Sequence, residues 1–209
     1  MTANETMKIL LIDNDPVRAE TVRIALEQEG HQVINQRPNA SGLTAAVAKD
    51  EPDMVIIDMD LPDRDTLENM STLNTHAPRP IVFFANEPGD RDTIQAAVRA
   101  GVSAYVADGV RPDRVRSIID MAVAQFEAFQ AVREELVQTR TALEDRKLID
   151  RAKGLIIKRE GCDEAQAYRI LQKTAMDRGE RIPQVAKRVI DLLSTAKEQA
   201  ATERVKRAS

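Results

Sequence analysis

With 209 residues, 43% hydrophobic and 31% charged, the chain has length for one large domain or two smaller ones and the composition of a soluble, helix-rich protein. Aromatics at 3% and a single cysteine, Cys162, exclude a row of stacking platforms for bases, an internal disulfide and a cysteine-cluster zinc site. The net charge of −4 hides an asymmetry: from Arg146 to Ser209 there are 16 Lys and Arg against 9 Asp and Glu, a balance of +7, while the remainder carries −11. A basic end on an acidic body directs attention to a polyanion at that end.

The N-terminal half alternates short Val/Ile-rich runs with amphipathic stretches. Lys8–Ile12, Gln32–Asn35, Met54–Ile57, Ile81–Phe84 and Val102–Val106 read as strands. Pro16–Glu29, Ala40–Lys49, Arg64–Thr75 and Asp90–Ala100 carry helical periodicity between them. Asp15-Pro16 is a helix start, and Gly30 and Gly101 fall where helices should stop. Alternating strands and helices predict a five-stranded parallel sheet covered on both faces, with sites at the carboxyl ends of the strands. Asp13, Asp58, Ala85 and Asp108 fall at those ends.

From Pro112 no Gly or Pro interrupts the chain until Gly154. Ile119, Ala122, Phe126, Phe129, Leu136 and Leu143 follow a heptad-like spacing, with Arg133 and Arg140 at the intervening seam positions. A helix from Pro112 to Arg159 would extend roughly 70 Å at ~1.5 Å per residue, too long for one small domain to cover. The spacing predicts a parallel homodimeric coiled coil. Gly161 ends this helix. Asp163 and Gln166 form a capping box opening a helix with Ala167, Ile170, Leu171, Ala175 and Met176 inward, and Gly179 closes it. Pro183 starts a further helix carrying Val185, Val189, Ile190 and Leu193, before a polar end. The domain plan is 7–111, 112–147, 148–197 and a tail at 198–209. No apolar run could cross a bilayer, and Met1–Met7 lacks a signal-peptide core, so the expected compartment is the cytoplasm without membrane contact. His31 and His76 stand in unrelated places as expected surface residues, and no Gly-rich phosphate loop follows the first strand, so no enzymatic activity is expected.

"KILLIDNDP", "PDMVIIDMDLP", "PIVFFANE" and "AGVSAYVADG" resemble, in order, the receiver domain of response regulators. Receivers accept a phosphoryl group on an aspartate, using acids that hold Mg²⁺ and a Lys and Ser/Thr that bind phosphoryl oxygens. The resemblance places Asp58 at the phosphoacceptor and assigns Asp13 and Asp58 to Mg²⁺. Asn14 replaces the second acid, with Asp15 beside it as a partial substitute, and no other cofactor is implied. Ala85 stands at the switch Ser/Thr and Asp108 at the lysine, so both switch positions are lost. An aspartate where the cation belongs repels phosphate, and phosphorylation is not expected to be the input.

"LIDRAKGLIIKREGCDEAQAYRILQKTAMDRGERIPQVAKRVID" resembles the ANTAR domain, the antitermination module of the AmiR/NasR regulators. That resemblance implies a three-helix module binding paired hairpins in an mRNA leader, as a homodimer when active, so that polymerase reads through a terminator. Candidate RNA contacts are Arg151, Lys153, Gly154, Lys158, Arg159, Arg169 and Lys173, with Lys153 foremost, since cations grip the backbone while specificity lies in loop bases. Gly154 suits close helix packing or close RNA approach equally. Within the family the arrangement is most similar to the NasT-type regulators of nitrate and nitrite assimilation, which implies a NasS-like nitrate-sensor protein as partner. The alternative is a phosphorylation-dependent, DNA-binding response regulator reading duplex through its C-terminal helices.

Overall fold

The structure, a computed structural model, describes residues 6–87, 89–107 and 109–193. Asp108 and the tail at 198–209 lie outside the described residues. The chain divides between Ala131 and Val132 into two compact units.

In the first unit, β1 (Lys8–Asp13), α1 (Pro16–Gln28), β2 (Gln32–Arg37), α2 (Leu43–Asp50), β3 (Met54–Met59), α3 (Arg64–His76), β4 (Ile81–Ala85), α4 (Arg91–Arg99) and β5 (Ala104–Ala107) alternate. The strands form one parallel sheet in the order β2-β1-β3-β4-β5, the α/β receiver-like architecture that the pattern predicts. Because side chains alternate across a strand, Leu10, Ile12, Val55, Ile57 and Phe83 face one layer with Leu43, Val47, Met70 and Leu73. Ile9, Leu11, Ile56, Val82 and Phe84 face the other, against Ala19, Val22 and Leu26.

Among the boundaries that move, two have clear local reasons. α2 starts at Leu43, not Ala40, because Gly42 takes a left-handed conformation (φ 65°) that breaks the helical run before it. β5 starts at Ala104 because the Val102 N–H is spent on Ala97 O at 3.1 Å, closing α4. His31 is buried, not on the surface as expected, and its Nδ1 accepts from the Met7 N–H at 3.4 Å.

A single 3-10 turn, Pro112–Arg114, precedes α5 (Val115–Glu160), so the long helix begins three residues after the proline. Its seam is divided. Ile119 and Ala122 are buried in the first unit's core, whereas residues 131–144 are all exposed, including Leu136 and Leu143.

The second unit holds the end of α5, α6 (Glu164–Arg178) and a helix, α7, described from 182 to 193. Gly161 stops α5 with φ 66°, and its N–H donates to Ile157 O at 2.9 Å. The Asp163–Gln166 capping box is present in both directions, and Gly179 caps α6 in the left-handed conformation. Ala152, Ile156, Ala167, Leu171, Ala175, Val185, Ala186 and Ile190 form the core. Ile170 and Met176, expected inward, are exposed at 43% and 76%. The buried stripe of α6 is only one residue wide (Ala167, Leu171, Ala175), and the end of α5 and α7 leave its flanks in solvent.

Candidate functional site

Parallel pairing sets Asp13 beside Asp58 at the carboxyl ends of β1 and β3. Both side chains are fully buried, a costly arrangement for two carboxylates without a cation. The cation is Arg18, from the first turn of α1. Its Nε and Nη2 donate to Asp13 Oδ2 and Oδ1 at 3.0 and 2.7 Å, a bidentate fork. Nη2 also reaches Asn14 Oδ1 at 3.0 Å and the Asp58 carbonyl oxygen at 3.4 Å, and Nε lies 3.2 Å from Asp58 Oδ1. Asp13 in turn holds Arg18's pKa above its ordinary value. A cation in a helix's first turn opposes the dipole by about 0.3–1 kcal/mol, and the two carboxylates offset that several times over.

Asn86 Nδ2 donates to Asp58 Oδ1 at 3.0 Å, while Asp58 Oδ2 is buried without a hydrogen-bond partner among the described residues. Burial pushes the Asp58 carboxyl up to about 6, against the opposing pull of Arg18 and Asn86. Asp15 has a local role of its own. It caps α1, accepting from the Val17 and Arg18 N–H groups at 2.8 and 3.2 Å, which hold its pKa below the usual carboxylate range.

These contacts bear on the Mg²⁺ assignment to Asp13 and Asp58. The oxygens that would meet a hard cation already meet the Arg18 guanidinium, and the residues present do not fit a bound divalent ion. Among the described residues no group of three or more His, Cys, Asp or Glu is placed to hold a metal. Ala85, buried at the end of β4, offers no hydroxyl toward Asp58. Arg18 and Asn86 are the pocket residues that sequence reasoning missed. A basic residue in a first helical turn that contains no acid was the available signal for Arg18.

The basic module separates its candidate residues. Lys153 is largely covered, at 15% exposure, and its Nζ bonds Asp150 Oδ1 and Glu164 Oε1, each at 2.7 Å, tying α5 to α6. Both acids hold its pKa above the ordinary value. Two residues' separation puts Arg151 on the opposite side of α5 from Lys153, and Lys158 shares Arg151's side. Arg169 and Lys173, one turn apart on α6, share its outer face. Arg151, Lys158, Arg169 and Lys173 are exposed, and none enters an ion pair among the described residues. Arg159 pairs with Glu160 at 3.4 Å beside a hollow formed by Ile156, Ile170 and Leu192. A Cβ added at Gly154 would meet nothing within 4 Å, so packing inside the module does not require this glycine. Gly154 and Lys153 instead border an open groove with Gln172, Met176 and Arg181.

Comparison with known proteins fits this division. The model of the response regulator receiver domain matches residues 9–120. The chain belongs to the response regulator receiver family. The ANTAR domain model matches residues 137–190, so this receiver is joined to an ANTAR module, the architecture of an antiterminator-type regulator. The transcriptional regulatory protein PdtaR of Mycobacterium tuberculosis is 28% identical over 191 residues, covering 91% of this receiver–ANTAR chain and 93% of that protein. The nitrate regulatory protein of Klebsiella oxytoca is 31% identical over 75 residues, 36% of this chain and 19% of that protein. Among solved structures, the signal receiver domain of a modulated diguanylate cyclase from Desulfovibrio desulfuricans is similar, with a TM-score of 0.52 and 26% identity over 59% of this chain and 98% of that one. Among the described residues no helix is long and apolar enough to cross a membrane.

Proposed function

We propose that the chain is an RNA-binding transcription antiterminator that acts on paired hairpins in an mRNA leader and takes its input from a bound sensor protein. The observation that carries this reading is the ANTAR module with four exposed cations, outside any ion pair among the described residues, in a region with a balance of +7. Arg151, Lys158, Arg169 and Lys173 contact RNA phosphates, and Gly154 lets the backbone approach closely. Lys153 contributes by holding α5 against α6 and reaches RNA only if a phosphate displaces its acidic partners.

The input reading rests on the pocket. Asp58 lies under Arg18, with Ala85 in place of a hydroxyl, and lacks the open cation site that phosphoryl transfer to an aspartate uses. A NasS-like sensor, released from the chain when it binds nitrate, supplies the signal instead. Nitrate and nitrite assimilation transcripts are the proposed targets, supported by the stretch shared with the Klebsiella nitrate regulatory protein. The active form is a homodimer through α5, where Phe129, Leu136 and Leu143 are exposed; burying each contributes about 1.5–3 kcal/mol. Arg133 and Arg140, at the seam positions between them, limit the strength of that pairing.

The test is a shift assay at fixed salt with a two-hairpin leader RNA from a nitrate-assimilation transcript, each hairpin alone, and duplex DNA. Preference for the paired hairpins is expected. Tighter binding to duplex DNA would replace this reading with the DNA-binding one. Incubation with acetyl phosphate followed by intact-mass measurement should show no adduct at Asp58, and a stoichiometric, long-lived adduct rejects the sensor-protein input.

A further inference from the structure

We propose that Arg18 is a resident cation of the receiver pocket, its guanidinium occupying the oxygen cradle of Asp13, Asn14 and Asp58 and excluding a divalent metal from it. The inference does not depend on what the helical module binds.

Three features of geometry support it. First, the contacts are those of a cation site. The guanidinium meets both oxygens of Asp13, Asn14 Oδ1, Asp58 Oδ1 and the Asp58 main-chain oxygen, all within 3.4 Å. Carboxylate, amide and main-chain oxygens are the donors that hard divalent ions take. Second, burial is graded as a lid requires: the two carboxylates are fully covered, while Arg18 is 26% exposed at the mouth. Third, the direction of Arg18 is particular to it. Arg23, on the same helix, pairs along the surface with Glu20 and Glu27. Arg18 instead turns back over the strand ends, reaching a residue 40 positions later in the chain. A planar fork with fixed donors fills such a site in one orientation and, unlike Mg²⁺, is tethered beside it by the chain. The pocket therefore keeps its positive charge whatever the metal concentration, and its electrostatic state is written into the chain.

Removing the guanidinium should uncover the metal site. With Mn²⁺ as a paramagnetic probe of the full-length protein, wild type is expected to show no saturable Asp13-dependent binding. Arg18→Ala should gain saturable binding, at least about tenfold tighter than any residual wild-type binding, because a unit positive charge a few ångströms away has gone. Arg18→Ala/Asp58→Asn should lose most of that gain. Mg²⁺ should raise the melting temperature of Arg18→Ala and leave wild type unchanged. Saturable Mn²⁺ binding by wild type that Asp13→Asn abolishes overturns the proposal. So does a folded Arg18→Ala, checked by circular dichroism, that binds no more Mn²⁺ than wild type. Should Arg18→Ala fail to fold, Arg18→Gln carries the same reading, since it removes the charge and keeps most of the side chain.

Discussion

The receiver pocket and the outer face of the helical module use their cations in opposite ways. In the receiver, Arg18 is turned inward and spent on two buried carboxylates, so the pocket offers an incoming anion little free positive charge. In the helical module, Arg151, Lys158, Arg169 and Lys173 project into solvent without acidic partners among the described residues, leaving their charge available. Lys153 differs from these four, engaged by Asp150 and Glu164 much as Arg18 is engaged by Asp13 and Asp58. What separates a structural cation from a binding cation is therefore where its partner acids lie. Composition alone does not distinguish them.

The largest expected effect breaks the inward half of this contrast. Arg18→Ala leaves Asp13 and Asp58 buried together without a cation, and chemical denaturation should show a loss of about 2–3 kcal/mol, discounted for the partial exposure of Arg18. A loss under about half a kilocalorie would mean that the pocket does not depend on its arginine.

Next comes the outward half. Arg169→Ala/Lys173→Ala should weaken leader-RNA binding about tenfold, with helicity unchanged. The log–log salt slope should fall by about 0.7–0.9 for each phosphate that is no longer neutralised. Arg64→Ala, an exposed receiver residue paired to Glu68, is the control and should leave RNA affinity unaltered. Equal effects from the two sites would erase the distinction between the units.

Gly154→Ala sharpens the comparison because stability and binding should move in opposite directions. Open space around the added methyl predicts a helix more stable by up to about 1 kcal/mol. Close approach of RNA at the same point predicts weaker binding. Greater stability with unchanged RNA affinity removes Gly154 from the interface.

A smaller effect belongs to the receiver's caps. Asp63 accepts from the Thr66 N–H at 2.7 Å, and its hydrogen bonds with Thr66 hold its carboxyl below the usual range. A lowered folded-state pKa means that this stabilisation is present above the unfolded carboxylate value and lost as the pH falls through the folded one. Asp63→Ala should therefore lose about 1 kcal/mol at neutral pH and progressively less in acid below pH ~4. A pH-independent difference would assign the loss to packing.

Much of this could be read along the chain. Strand and helix alternation, the coincidence of Asp13, Asp58 and Ala85 at strand ends, and the Asp163–Gln166 capping box all depend on residues a few positions apart or on a regular period, and such patterns survive in one dimension. Ile170 and Met176 escape that kind of reading because periodicity gives the direction of a face but not how much of it a three-helix module can cover. The burial of His31 likewise depends on chain brought to it from Met7. The engagement of Lys153 depends on α6 folding back to bring Glu164 within reach of α5.

The receiver motif itself shows the same division. By itself the sequence determined that an aspartate, Asp58, and an alanine, Ala85, stand where the receiver resemblance places an aspartate and a hydroxyl, because those are identities at motif positions. Only the tertiary structure decided what stands in the pocket instead: the sheet sets Asp13 beside Asp58, and the start of α1 aims Arg18 across both. That ion-paired group joins residues 13, 14, 18 and 58 through parallel strand pairing, and a contact made by pairing distant strands leaves no period in the sequence to read.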